Sequence, residues 1–189
     1  MRTIKEGYYT SAELRNMKLN GTQIKSLLDD GTLSKIKMGL YRTASMNSSN
    51  QSFIDVCTSA PKSVIAGFSA LRYYNLTTFI PNSVYIAVRR DDTRPRIIYP
   101  PVERITVTEK LFNLGIETVK EGRYSFKIYN IERAVCDAFR YKNKVGLDIA
   151  KEALREYIRR KDRNLNKLLQ MAEKCKVKNI IESWLTALI

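Results

Sequence analysis

A short segment near the N-terminus carries four polar side chains that can hydrogen-bond to another molecule. Its apolar positions recur with the spacing of one helix face, at Ile24, Leu27 and Leu28. The opposite face then carries two hydroxyls, an amide and an ammonium, at Thr22, Gln23, Lys25 and Ser26. An amide suits adenine, a lysine suits guanine or a phosphate, and a hydroxyl suits either. This face can therefore contact DNA, and the alternative is an ordinary amphipathic helix with a polar outer face.

The residues that follow predict a β-hairpin with cationic side chains. Residues 33–43 read LSKIKMGLYRT, and Gly39 permits a tight turn. Ile36 is expected to point inwards between outward-facing Lys35 and Lys37. Long cationic side chains on a hairpin meet phosphates rather than bases, so these two lysines and Arg42 are candidate phosphate contacts. A solvated hairpin on a protein surface is the alternative.

These residues belong to a larger N-terminal pattern. A helix is predicted at 11–17, Asn20-Gly21 breaks it, and the second helix stops at Gly31. Helix, turn, helix and hairpin is the order of a winged helix-turn-helix, whose second helix enters the major groove of DNA. The polar stretch at 45–52, SMNSSNQS, is the best linker candidate. We therefore expect a DNA-binding domain at 1–45 and a second domain at 52–189.

The second domain has a mixed α/β pattern followed by helices. Helices are predicted at 52–58 and around 68–74, and short strands at 83–89, 96–99, 104–108, 116–120 and 124–129. From Ile131 onward three helical stripes follow, the first of which contains Leu147, and Trp184 in the third is expected to anchor the core. The predicted fold class is α+β: a winged helix-turn-helix joined to a mixed α/β domain that ends in a helical bundle.

The composition restricts the classes of function. The 189 residues contain 33 Lys and Arg, 19 Asp and Glu and no His, which gives a formal charge of +14 and implies attraction to a polyanion, most often nucleic acid. The absence of histidine excludes Ser-His and Cys-His nucleophiles and H-E-x-x-H zinc sites. Three widely spaced cysteines, Cys57, Cys136 and Cys175, are expected to be buried thiols. Without an apolar run of 18 residues or a signal peptide, we expect a cytoplasmic protein that does not contact a membrane.

The remaining charged groups offer weak candidates for chemistry. Asp91 and Asp92 form an adjacent carboxylate pair, but a two-metal site needs several convergent carboxylates, and RRDDTRPR has the character of a charged loop. Glu132 and Arg133 fit a helix start with an ion pair better than a functional surface. The basic cluster YIRRKDR at 157–163 fits a solvated helix face, or a second contact with nucleic acid. We therefore predict no catalytic residue, no metal site and no cofactor.

Several segments resemble one family. GYYTSAEL and NGTQIKSLLDDGTLSKIKMGLYR resemble the winged helix-turn-helix of AbiEi-type antitoxins from type IV toxin-antitoxin systems, which act in abortive phage infection. SALRYYNLTTFIP, VYIAVRR, KIYNIERAVCDAFRYKNKVG and the stretch from DIAKEAL to KCKV resemble the antitoxin C-terminal region. The resemblance covers nearly the whole chain, and GLYR and ERAVCD are its most specific pieces.

The resemblance implies a bacterial transcriptional repressor that binds double-stranded DNA, at repeats in its own promoter. It also implies an antitoxin that counters a nucleotidyltransferase-like toxin, with which it need not form a stable complex. Two other classes of protein stay open. One is a nuclease-like, nucleic-acid-processing enzyme targeted by the helix-turn-helix. The other is an orphan transcriptional regulator without a toxin.

Overall fold

The computed structural model describes residues 4–92 and 96–188, and it has the predicted α+β fold. The N-terminal unit consists of β1 (Tyr8–Thr10), α1 (Ser11–Asn16), α2 (Gly21–Asp29), β2 (Leu33–Lys37) and β3 (Leu40–Thr43). Its three strands form an antiparallel sheet in the order β1-β3-β2. The predicted order of helix, turn, helix and hairpin is therefore present.

The N-terminal unit has its own small core. Each helix begins with a capping box, in which the cap residue and the third helical residue bond to each other's backbone N–H: Thr10 with Glu13, and Asn20 with Gln23. The helices place apolar side chains on the sheet, and the buried members of this cluster are Leu14, Ile24, Leu33 and Tyr41. This core is separate from the clusters of the second unit.

The second unit contains a five-stranded mixed sheet. Its elements are α3 (Gln51–Ser59), β4 (Val64–Ile65), α4 (Gly67–Tyr73), β5 (Val84–Arg89), β6 (Val102–Val107), α5 (Glu109–Phe112), β7 (Ile116–Glu121) and β8 (Tyr124–Tyr129). The strand order is β6-β5-β4-β8-β7. β5 and β6 are parallel, as are β4 and β8, while the β4/β5 and β7/β8 pairs are antiparallel. The sequence analysis missed β4, which has only two residues but pairs on both sides.

The strand predicted at 96–99 is absent, which corrects the sequence analysis. The backbone N–H groups of Ile98 and Tyr99 both donate to the carbonyl of Ile36 on β2, at 2.8 and 3.1 Å. β2 is an edge strand of its sheet. The segment thus covers the edge of the N-terminal hairpin instead of joining the large sheet.

Five helices follow: α6 (Ile131–Arg140), α7 (Lys142–Val145), α8 (Leu147–Arg159), α9 (Leu165–Lys174) and α10 (Lys178–Leu188). The three predicted stripes lie on α8, α9 and α10, and most of their members are buried. Leu147 is an exception, since it is 38% exposed. Trp184 is only half-buried at the margin of the core, with the Lys151 ammonium 4.4 Å from its ring centroid. None of the helices described is long and apolar enough to cross a membrane.

A buried ion pair lies at the centre of the second unit. Arg133 on α6 is 0% exposed and donates from Nε to Asp137 at 2.9 Å. Its Nη1 donates to the carbonyls of Leu111 and Leu114, and its guanidinium lies 4.3 Å from the ring centroid of Tyr129. Burial raises the pKa of Asp137, although the nearby Arg133 opposes this shift. Arg133 therefore joins α6 to the end of α5 and to the segment that follows it.

The neighbouring Glu132 is also a structural residue. It accepts a hydrogen bond from the Tyr157 hydroxyl at 3.2 Å and lies 3.6 Å from the Lys167 ammonium. The cap of α6 is Asn130, whose side chain accepts from the N–H of Arg133. The structure thus supports the structural interpretation of Glu132 and Arg133, although Arg133 pairs with Asp137 and not with Glu132.

We expect Asp137→Ala to lower the free energy of unfolding by about 3–5 kcal/mol, because it leaves the charge of Arg133 buried without a partner. Urea unfolding followed by circular dichroism measures this loss. The matched control is Asp148→Ala, which removes a 99% exposed carboxylate beside Lys151 and should change stability by less than about 1 kcal/mol. Replacing both members, as Arg133→Met with Asp137→Leu, should restore much of the stability. A small effect of Asp137→Ala alone would contradict the central role of the pair.

We expect alkaline pH to destabilise the protein through Cys57, a buried thiol as predicted. Burial raises its pKa from 9.0 to about 11. A group with a raised pKa in the folded state contributes stability below its unfolded pKa and loses it as pH rises. Between pH 8 and 10 the wild type should lose about 1 kcal/mol more than Cys57→Ala, measured by urea unfolding under reducing conditions. Equal losses would show that Cys57 does not contribute.

Candidate nucleic-acid interface

The outer face of α2 is accessible to solvent, as the sequence analysis requires. Thr22, Gln23, Lys25 and Ser26 are all exposed. Ile24 points into the small core, and Leu27 and Leu28 are half-buried. The first two turns of α2 contain no acidic residue, so a phosphate would meet no like charge on this part of the helix.

The four side chains lie on two neighbouring stripes of α2. Gln23 and Ser26 share a stripe with Leu27, and all three line a groove of about 800 Å³. Apolar side chains of Ile4 and Leu19 form another part of the wall of this groove. Thr22 and Lys25, which do not line it, occupy the other stripe three residues apart. The structure therefore brings the four residues together in two pairs and not as one flat patch.

Gln23 has a structural role that the sequence analysis missed. Its Oε1 accepts the N–H of Asn20 at 2.9 Å, and its own N–H donates to Oδ1 of Asn20 at 2.9 Å. A bidentate amide contact with adenine requires both the oxygen and the nitrogen of the side chain. While the cap is formed, only Nε2 is left to donate. The N-x-x-Q spacing before an apolar helix is the sequence signal that could have revealed this cap.

The two hairpin lysines differ in their surroundings. Ile36 is fully buried as predicted, and Lys35 is half-buried and makes no ion pair or side-chain hydrogen bond with another described residue. The ammonium of Lys37 instead donates to the carbonyl of Ser59, at the end of α3, at 2.6 Å. The strand register is irregular between Lys35 and Lys37, which is how a bulge redirects a side chain. Lys35 thus remains a candidate phosphate contact, whereas Lys37 attaches the hairpin to the second unit.

Arg42 lies inside a buried polar cluster, which corrects its assignment as a phosphate contact. Its side chain is only 11% exposed, Nη1 donates to the carbonyl of Met46 at 2.9 Å, and Nε lies 3.2 Å from Oδ1 of Asp55. The Asp55 side chain is 1% exposed and also accepts from the Tyr8 hydroxyl and from Nε2 of Gln51. The Arg42 guanidinium is therefore committed to a carboxylate of its own chain. We name Tyr8, Arg42, Gln51 and Asp55 the interdomain cluster.

Burial also affects the protonation of this cluster. It raises the pKa of the Tyr8 hydroxyl far above its usual value, and the hydrogen bond to Asp55 adds to the shift. The Tyr8 hydroxyl therefore stays protonated at neutral pH and can donate to Asp55.

The segment expected to be a linker is fixed to the second unit. Met46 is buried, and the side chains of Ser48 and Asn50 both donate to Glu121 at the end of β7. The rings of Tyr8 and Tyr124 meet edge to face, with 5.3 Å between their centroids. The position of α2 relative to the large sheet is thus set by many contacts.

The other charged candidates are largely paired within the chain. In the 157–163 cluster, Arg159 bonds to Glu156 at 2.7 Å, and Arg160 bonds to Asp162 at 2.9 Å. Asp92 pairs with Arg89 at 3.0 Å, and this hydrogen bond lowers the pKa of the Asp92 carboxyl. Within residues 4–92 and 96–188, no three His, Cys, Asp or Glu side chains come together in a way that could hold a metal ion.

Comparison with known proteins does not assign this chain to a family. No protein-family model matches the sequence, and no curated protein matches it significantly. The features that bear on function are therefore the exposed face of α2, Lys35 on the hairpin, and the resemblance of the sequence to AbiEi-type antitoxins.

We expect Arg42→Gln to lower the free energy of unfolding by about 2–4 kcal/mol, because it leaves the Asp55 carboxylate buried without its cationic partner. Chemical unfolding measures the change. Arg15→Gln is the matched control, since Arg15 lies in the same unit but is exposed and unpaired with any other described residue. A side chain that served only to contact phosphate could be replaced without loss of stability, so equal stabilities of the two variants would refute the role of the interdomain cluster.

Proposed function

We propose that this protein is a DNA-binding transcriptional repressor in which α2 is the recognition helix of a winged helix-turn-helix. The observation that carries the proposal is the exposed outer face of α2, whose hydroxyl, amide and ammonium groups lie on the first two turns, where the helix has no acidic residue. The order of the N-terminal elements and the formal charge of +14 support it.

The geometry favours base contacts by α2 and phosphate contacts by the hairpin. Lys25 and Thr22 share one stripe at the N-terminal end of α2, the end that meets base edges in helix-turn-helix proteins. Nε2 of Gln23 can donate to a base or a phosphate while its oxygen stays in the cap. Lys35 on the hairpin lies on a different element and suits the phosphate backbone. Reading and positioning contacts thus come from separate elements.

The N-terminal unit is attached to the second unit, and this attachment would preorganise the proposed DNA-binding surface. Because the interdomain cluster fixes α2 relative to the large sheet, the helix and the hairpin need not be ordered when DNA binds. A preorganised surface loses less conformational entropy on binding than one carried on a flexible linker. The second unit would then lie at a constant position beside the bound duplex.

The antitoxin half of the proposal rests on the sequence resemblance. We propose that the protein represses its own promoter and counters a nucleotidyltransferase-like toxin encoded beside it, without a stable complex between the two. Expression of the neighbouring gene product in a bacterial host, with and without this protein, tests this half by growth. Growth arrest that the protein does not relieve, or a neighbouring gene of another kind, would support the orphan regulator instead.

We expect Lys25→Ala to cost about 1–3 kcal/mol on the promoter upstream of the gene and little on a scrambled duplex, because a base-edge contact is lost only where the right base is present. Lys35→Ala should weaken binding to both duplexes about equally, since phosphates carry no sequence. Fluorescence anisotropy titrations at fixed salt measure both.

Lys120→Ala is the matched control for lost charge, since Lys120 on β7 is exposed and forms no ion pair with another described residue. If Lys35→Ala changed the ratio of promoter to scrambled affinity and Lys25→Ala did not, the hairpin and not α2 would be the reading element. Cleavage of DNA with Mg²⁺ that disappears in the Asp91→Ala, Asp92→Ala double variant would favour the nuclease-like alternative.

A further inference from the structure

A second cavity with a concentrated positive charge lies far along the chain from α2. It has a volume of about 470 Å³ and is formed where α6 ends, α7 begins and the chain turns from α9 into α10. Apolar side chains of Phe139, Val177 and Ile180 form part of its wall. Three cationic residues, Arg140, Lys142 and Lys176, also line it, and we name them the basic triad.

None of the described residues that line this cavity is acidic. Neither Arg140 nor the two lysines form a salt bridge within the described part of the chain, in contrast to Arg159 and Arg160 in the 157–163 cluster. Asp137 lies close enough to interact electrostatically with Arg140, but it is buried and bonded to Arg133. The members of the basic triad are therefore not neutralised by a direct ion pair with another described residue.

Helix ends account for only part of this charge. α6 and α9 both end beside the cavity, and the C-terminus of a helix carries a partial charge of about −0.5. Two such ends neutralise roughly one of the three positive charges, so about two remain without a counter-charge. Neutralisation of the helix dipoles is thus not a sufficient reason for three convergent cations.

The side chain of Arg140 is held in place. Its Nη1 donates to the carbonyl of Cys175 at 2.7 Å, and its guanidinium carbon lies 5.9 Å from the ring centroid of Tyr141. A guanidinium fixed by the chain's own backbone loses little further freedom when it binds a ligand. Arg140 is therefore a preorganised member of the basic triad.

Lys176 occupies a backbone position that favours glycine. Its φ is +58°, and it follows α9 in a Schellman motif. In this motif the backbone N–H of Lys176 donates to the backbone carbonyl of Glu173 at 3.0 Å, and the N–H of Val177 donates to the carbonyl of Ala172 at 2.9 Å. A side chain with a Cβ is unfavourable in this left-handed conformation. The turn would thus form more readily with glycine, and the lysine gives the cavity one of its three cations.

We propose that this cavity is a binding site for a phosphate group of a small ligand, such as a free diphosphate or the polyphosphate of a nucleotide. A fixed guanidinium and two ammonium groups are the side chains that bind phosphate oxygens through charge-assisted hydrogen bonds. The proposal does not depend on the proposed binding of DNA by α2.

Calorimetric titration of the full chain with pyrophosphate, in the absence of DNA, tests the site. The pocket variant Lys142→Gln with Lys176→Gln should bind pyrophosphate at least ~10-fold more weakly than wild type, because two charge-assisted hydrogen bonds are lost. The matched control is Lys120→Gln with Lys161→Gln, which removes the same charge from two exposed, unpaired lysines elsewhere. The control should change affinity less than ~3-fold, through long-range electrostatics alone.

A single variant separates binding from folding. Lys176→Gly should raise the midpoint of thermal unfolding, since glycine suits the left-handed backbone, and should nevertheless weaken pyrophosphate binding. Opposite effects of this kind cannot arise from partial unfolding.

Parallel titrations with ATP and with pyrophosphate distinguish the two sources of phosphate. Tighter binding of ATP, lost in the pocket variant, identifies a nucleotide ligand, whereas equal or tighter binding of pyrophosphate identifies a free polyanion. The proposal fails if pyrophosphate does not bind the wild type, or if the pocket variant and the matched control lose affinity equally. The second result would show that only the net charge of the protein attracts the anion.

Discussion

A buried carboxylate, Asp55, is the most enclosed polar group among the contacts that join the two units of this protein. It lies on α3 of the second unit. It accepts hydrogen bonds from Tyr8 and Gln51 and forms an ion pair with Arg42. A carboxylate removed from water is stable only if such partners surround it, so the N-terminal sheet must be present for α3 to be buried as it is. The requirement to surround Asp55 with partners is therefore one of the constraints that set the direction in which α2 faces, together with the contacts of Lys37, Ser48 and Asn50. The orientation of the proposed DNA-binding surface depends on these contacts.

The second unit contains a comparable constraint at Arg133. There the buried charge is a cation, and its partners are Asp137, two backbone carbonyls and the face of an aromatic ring. Arg42 and Asp55 join β3 to α3, which belong to different units. Arg133 and Asp137 lie one turn apart on α6, and it is Arg133 that reaches another element, through the carbonyls of Leu111 and Leu114. Neither pair is exposed enough to bind a ligand. Buried ion pairs of this kind contribute little net stability when compared with apolar side chains, but they tolerate few alternative arrangements. They fix where the elements lie, which is what a binding surface made from several elements requires.

These internal pairings also decide which cations are left for other molecules. The chain has 33 lysines and arginines, and a high net charge alone does not identify the ones that bind. Arg42 and Lys37 bond to residues of the second unit and so attach the hairpin to it. Arg159 and Arg160 form ion pairs with acidic neighbours in the chain. Among the described residues, the cations that form no ion pair include Lys25 and Lys35 at the N-terminal unit and the basic triad beside the end of α6. The two proposed binding regions thus belong to the part of the positive charge that is not used in ion pairs within the fold.

The sequence by itself determined the α+β class, the N-terminal hairpin, the inward position of Ile36, the outward face of α2 and the helical C-terminal third. These features follow from local periodicity, because the alternation of apolar and polar residues tells which side of a helix or strand is buried. Only the tertiary structure decided which residues contact the outward-facing side chains of these helices and strands. Lys35, Lys37 and Arg42 were all predicted to be phosphate contacts because they lie on the hairpin. In the structure Arg42 faces Asp55, and Lys37, which follows an irregularity in the strand register, bonds to the carbonyl of Ser59. Likewise residues 96–99 have the composition of a strand, yet they cover the edge of β2. The partner of an outward charge comes from a distant part of the chain, and local periodicity carries no information about it.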